Sequence, residues 1–163
     1  MKYLLWLPLA LLSLSLGLVG KVLAPVLVLF AGEDGRLIRP FSYIWGQFDA
    51  DLDEGRRSGL TPSRWRYLGR VKWLMRNPAY NFAYYIAGQY WDGLHNEPVV
   101  YEETPERLYI QHDWPGGWGV YYHGPLGQLK LGWKAFNVYW RDKPWGPEWR
   151  VPICLTYSPF KRR

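Results

Sequence analysis

The sequence predicts an α+β protein: an N-terminal transmembrane or otherwise apolar helix, a short helical pair, and a C-terminal antiparallel β-meander. Three observations carry this. Residues 3–31 hold one charge, Lys21, whereas the chain after Glu33 is polar, aromatic and turn-rich. Residues 61–88 read as two helices separated by Asn77-Pro78. Beyond residue 98 the apolar spacing changes to two. The chain therefore divides into a membrane anchor, 1–32, and one small soluble α+β domain, 33–163, with helices at 61–88 and strands at 98–157.

The apolar run comes first. About 18 apolar residues cross the hydrocarbon core of a bilayer as a helix, and a helix satisfies its own backbone hydrogen bonds in lipid. Tyr3 to Gly20 meets that length. Val22 to Ala31 is too short for a second span and contains Pro25, so it is expected to lie in the interface or dock on the folded part. Lys21 snorkels at the boundary between them. Ser13 and Gly17 form a small-xxx-small pair able to pack helices. A cleaved signal peptide is the competing reading. Its two candidate sites, after Gly20 and after Ala31, have Leu18 and Leu29 where a small residue is needed. Lys21, Arg36 and Arg39 favour a cytoplasmic soluble domain under the positive-inside rule.

Thr61-Pro62 reads as a helix start, a hydroxyl N-cap followed by proline at the first helical position. That helix should end at Arg76, before Asn77-Pro78. Its apolar arc holds Trp65, Tyr67, Leu68, Val71, Leu74 and Met75, with Arg66, Arg70, Trp73 and Arg76 opposite. A second, almost wholly apolar helix runs from Pro78 to Ala87, with Gly88 as its C-cap. In the β half, Arg107–Asp113 and Trp118–His123 flank Trp114-Pro-Gly-Gly117, a four-residue hairpin loop. Placing Asp113 opposite Trp118 puts His112 opposite Gly119 and His123 opposite Leu108, so the two histidines do not converge. Leu129, Leu131, Trp133, Val151, Ile153 and Leu155 should point into the core. The apolar parity flips to Phe136, Val138 and Trp140, which places a bulge near Ala135. Pro152 argues for an edge strand.

Composition bounds the function. One cysteine, Cys154, excludes an internal disulfide and any multi-cysteine metal site. The chain holds 11 Trp and 13 Tyr, all but Trp6 and Tyr3 beyond the anchor, so the part after the anchor is a folded domain. The net charge of +6 is segregated. Residues 33–54 carry six acids, and residues 56–76 carry seven basic side chains and no acid. The basic faces suit phosphate-bearing partners. Beside an anchor, Arg66, Arg70, Trp73 and Arg76 suit contact with anionic lipid or phosphate. A single-strand nucleic-acid platform would use the same residue types and ranks behind lipid, which the anchor already brings within reach. The plainer reading is a solvated helix face over a small core.

Asp49, Asp51 and Asp53 occupy the first, third and fifth positions of a calcium-type loop. The match then fails, because Glu54 stands where glycine is needed and Leu60 where a bidentate glutamate is needed. A solvated acidic turn that offsets the following basic run is the stronger reading. No Walker loop, GxSxG, HExxH or CxxC motif is present. The expectation is a non-enzymatic protein without cofactor and without a small-molecule substrate.

Several runs together resemble a known family: the apolar start of the chain, the aspartate-rich turn near residue 50, and Gly69-Arg-Val-Lys-Trp-Leu-Met-Arg-Asn-Pro-Ala-Tyr80. Leu131-Gly-Trp-Lys134 and Ser158-Pro-Phe-Lys161 complete the set. They are similar to short tailed-bacteriophage proteins of unknown function that carry an N-terminal apolar segment, over nearly the whole chain. The resemblance implies phage origin and membrane association, and carries over no catalytic or binding residue. The function expected is a phage accessory protein, single-pass in the host inner membrane, contacting lipid and host or phage proteins. The alternatives are a virion structural or ejection component and a membrane-tethered nucleic-acid-binding module.

Overall fold

A computed structural model describes residues 2–62, 64–91, 98–135 and 149–163. The fold is α+β. Packing divides the chain into two compact units, Met1–Ala10 with Ala87–Arg163, and Leu11–Ile86. The first helix belongs partly to each unit.

That helix, α1, runs unbroken from Lys2 to Leu27 and continues as a 3-10 turn over Val28–Phe30. The helix runs through Pro25 without a break. Proline there removes one backbone hydrogen bond of the last turns. Burial of the neighbouring Ala24, Leu27 and Val28 offsets that loss. Val22 to Phe30 thus continues the first helix and its closing 3-10 turn, and docks on the folded part through Ala24, Leu27 and Val28.

In the helical unit, Ala24, Leu27 and Val28 join Leu37, Leu52, Val71 and Leu74 in one core cluster. Two helices complete it, α2 (Glu54–Arg57) and α3 (Arg66–Arg76). The sequence placed the start of α3 at Thr61-Pro62, yet it begins at Arg66 with Trp65 as N-cap residue. Thr61 is buried and packs under Gly69, so its hydroxyl is not available as a cap. The expected second helix shrinks to a π-helical turn, Phe82–Ile86. Phe82 and Ala83 are buried there, while Tyr85 and Ile86 are exposed.

In the sheet unit the strands are β1 (Gln89–Trp91), β2 (Val100–Glu103), β3 (Leu108–Trp114), β4 (Gly117–Gly124), β5 (Gly127–Trp133), β6 (Trp149–Val151) and β7 (Ile153–Ser158). Five form an antiparallel sheet in the order β2-β3-β4-β5-β7, and β1 pairs separately with β6. Asp113 lies opposite Trp118, His112 opposite Gly119 and Leu108 opposite His123, the register that the alternation predicts. Trp114 also pairs with Gly117, so the hairpin loop is the two residues Pro115-Gly116 and not four. Pro152 stands between β6 and β7, where the chain passes from one sheet to the edge of the other.

Of the predicted core set, Trp133, Val151 and Ile153 are buried, whereas Leu129, Leu131 and Leu155 are only half-buried. Leu131 pairs with Leu155 and Trp133 with Ile153, so these side chains do share a face. Burial also falls on the opposite parity, at Ile110, His112, Trp114 and Cys154. Gly132 in β5 has φ +85°, and a Cβ there would stand 2.3 Å from the Trp118 carbonyl oxygen. Only glycine fits that strand contact. The parity change expected over Phe136, Val138 and Trp140 lies outside the described residues.

Candidate functional site: an apolar helix face and the Asp53 arginine cluster

The arginine-rich helix is built around one carboxylate. Asp53 sits just before α2 and is 6% exposed. Arg70 donates to it from Nε (2.7 Å) and Nη2 (2.9 Å). Arg66, one turn earlier, donates from Nε (3.1 Å) and Nη2 (2.7 Å). Positions four apart on a helix share a face, so both forks reach the same acid. The approach depends on Gly55, whose added Cβ would stand 2.1 Å from the Gly69 carbonyl oxygen. Hydrogen bonds from Arg70 and then Arg66 hold the Asp53 carboxyl well below the usual carboxylate range.

This divides the four side chains the sequence grouped as a lipid or phosphate surface. Arg70 is buried and consumed by Asp53. Arg66 keeps its outer edge exposed but points its donors inward. Trp73 packs against the helical-unit core. Arg76 is exposed, with its guanidinium 5.7 Å from the Trp73 ring centroid. The four therefore do not form one free basic face. Proximity in sequence suggested that the acidic turn offsets the basic run, but not that a single aspartate takes two arginines from 13 and 17 residues away.

The possible metal ligands are likewise divided. Asp51 accepts two hydrogen bonds from Arg57 Nη2 and one from the Asp53 backbone N–H. Asp53 is taken by its arginines, and Asp49 is exposed. Among the described residues no three His, Cys, Asp or Glu side chains converge on a point. Cys154 is buried in β7, which pushes its thiol up to about 12 and leaves it without thiolate character at neutral pH.

An open cleft of about 550 Å³ lies within the helical unit, lined in part by Arg36, Arg39, Tyr43, Gln47, Asn81 and Tyr85. Arg39 stacks 5.4 Å over the Tyr43 ring. Asn81 Nδ2 donates to the Ser42 and Trp45 carbonyls, which fixes one wall. Asp34 and Ser42 line it as well, so its charged groups carry both signs.

The largest unusual surface belongs to α1. Fourteen large apolar side chains between residues 2 and 30 are exposed, with Leu4 at 80%, Val22 at 79% and Leu29 at 69%. Only 22% of the most apolar 18-residue window is buried, far from the mostly buried state of a soluble protein's core helix. Sequence reasoning found this segment by length alone. Its inner face, made of small residues, could have been read from the seven-residue spacing of Ala10, Gly17 and Ala24.

Among the described residues, these features define an α+β protein with one helix long and apolar enough to cross a membrane and with a buried aspartate that holds two arginines. The chain belongs to a family of unknown function, DUF7338, whose family model matches residues 1–163. No curated protein and no solved structure gives a significant match.

Proposed function

We propose that this is a non-enzymatic accessory protein held at a membrane by α1 and acting through contacts with lipid or with other proteins. The observation that carries the reading is the exposure of α1. A helix this apolar and this uncovered is costly in water, at about 25 cal/mol per Å² of apolar surface. Lipid removes that cost. Retention of the segment is supported by its packing, because cleavage after Ala31 would strip Ala24, Leu27 and Val28 from the helical-unit core, and cleavage after Gly20 would remove the helix turn that packs against Trp45 and Pro78. The finer assignment, to a tailed phage acting at the host inner membrane, rests on the resemblance of the sequence runs described above.

The test is alkaline carbonate extraction of membranes from cells expressing the full chain, followed by intact-mass measurement. The expected result is an uncleaved chain in the membrane pellet. A full-length chain released into the supernatant would refute membrane insertion, and a chain lacking residues 1–20 would refute retention of the helix.

A further inference from the structure

Resting on the membrane reading, we infer that α1 does not cross the bilayer. It lies in the plane of one leaflet, buried in lipid by its outer face. The first argument is that both ends of the expected span, Tyr3 to Gly20, are already occupied. Within the sheet unit, Lys2 pairs with Asp113 and donates to the Trp114 carbonyl, and Tyr3 donates to Asp113 at 3.1 Å. Trp6 donates to the Gly132 carbonyl at 3.2 Å and packs its ring 5.1 Å from Trp118. Within the helical unit, Trp45 donates to the Leu16 carbonyl at 3.2 Å. The Trp45 ring lies so close to Gly20 that an added Cβ would come within 2.6 Å of it. Between these clasps only Leu7 to Ser15 is left, about 14 Å of helix at 1.5 Å per residue. The hydrocarbon core is about 30 Å thick. A span clasped in this way would carry an ion pair and polar strand ends into lipid.

The second argument is the division of the helix into two faces. Within the helical unit, Gly20, Ala24 and Leu27 are buried, at the three- and four-residue spacing of one helical stripe. The opposite stripe of the same unit holds Leu11, Leu18, Val22 and Leu29, all exposed. Small residues inside let folded protein approach the helix axis, and large ones outside give depth in an acyl layer. Ser15, the hydroxyl on the outer side, returns its proton to the Leu11 carbonyl at 3.0 Å, so it brings no unsatisfied donor into lipid. Lys21 is exposed between the two stripes, where a long stem carries its charge to headgroup level. Tyr67, half exposed and bonded to the Pro25 carbonyl at 2.8 Å, adds an interfacial aromatic at the same border.

The occupant is a lipid leaflet and not a second copy of the chain. Close helix pairing needs small residues on the outer face. The small-xxx-small pair identified in the sequence is turned inward instead. Gly17 and Gly20 both meet Pro78 of the same unit, and Ser13 and Gly17 are half-buried.

The test uses the full chain with Cys154→Ala, carrying single cysteines in place of Leu4, Leu11, Leu18 or Leu29, each labelled with an environment-sensitive fluorophore. Vesicles of phosphatidylcholine and phosphatidylglycerol carry a quencher either near the headgroups or near the bilayer centre. An in-plane helix gives the same ratio of shallow to deep quenching at all four positions, with shallow dominant. A ratio that inverts at Leu11 relative to Leu4 and Leu29 shows a crossing helix. That result overturns this inference and leaves the membrane reading standing. Absence of quenching at every position, with protein in the aqueous phase, overturns both. Blue-shifted emission in a lipid-free dimer assigns the face to a second copy and also overturns it. L18N together with V22N, both exposed and so compatible with folding, should weaken vesicle binding by at least about tenfold. Unchanged binding would refute the face.

Discussion

The helical unit and the sheet unit are held together by different physics. In the helical unit, beside the apolar core, one buried carboxylate, two arginine forks and one glycine contact form a single polar network. In the sheet unit the polar contacts are spread over ladders of strand pairs, with six pairs joining β4 to β5 and six joining β5 to β7. The comparison teaches where single substitutions should matter. A concentrated network fails when one member is lost, whereas a ladder loses one rung.

The largest expected effect is at Asp53. Asp53→Asn leaves Arg70 buried without its counter-charge, and breaking a buried pair from one side costs about 3–5 kcal/mol. Hydrogen exchange should show amides of 11–86 losing protection while those of β3, β4 and β5 keep theirs. Equal loss in both units would contradict the confinement of that network to the helical unit. The same carboxylate sets an acid limit. Its folded pKa lies below the ordinary value of 3.8, so the folded state binds fewer protons than the unfolded state near and below that value. Its contribution to stability is therefore complete above about pH 4 and declines as the pH falls further. Acid loosening should appear first in the helical unit, and Asp53→Asn should remove that part of the pH dependence.

Next in size is Gly55→Ala. The added methyl meets the Gly69 carbonyl, a backbone atom that cannot swing aside. Separating α2 from α3 would cost about 1–3 kcal/mol, the range for overpacked sites. It would also pull Asp53 from its arginines. Gly55→Ala and Asp53→Asn should then be less than additive, since both break one network. Additivity in a double-mutant cycle would show that the glycine contact and the ion cluster are separate.

The same contrast explains what was legible in the sequence. Strand pairing is local in character, since alternation sets the face and the turn sets the register. His112 opposite Gly119 followed from the sequence for that reason. The hairpin loop was read two residues too long because Trp114 and Gly117, taken as loop, form the last rung. The arginine cluster was not legible for the opposite reason. Charge runs and helical projection place Arg66 and Arg70 on a basic face, and only the fold reveals that Asp53 lies against it. The start of α3 was misplaced because Thr61-Pro62 satisfies the local capping rule, while burial of Thr61 beneath Gly69 decides the outcome. The apolar length of α1 was plain. Its two faces depend on which neighbours pack against it.

The smallest expected effect sharpens the comparison from the sheet side. Arg107 pairs with Glu102 across the hairpin joining β2 to β3, and both side chains are about half exposed, at 49% and 50%. By chemistry this is the same arginine–carboxylate contact as Arg70–Asp53. By environment it differs, because water solvates both partners whether or not they meet, and side-chain ordering opposes the attraction. The β2–β3 rungs, such as Tyr101 with Ile110 and Glu102 with Tyr109, remain when the pair is removed. Arg107→Gln should therefore leave stability within about 0.5 kcal/mol of the parent in chemical denaturation. A loss approaching that of Asp53→Asn would mean that charge pairing, and not burial, separates the two units.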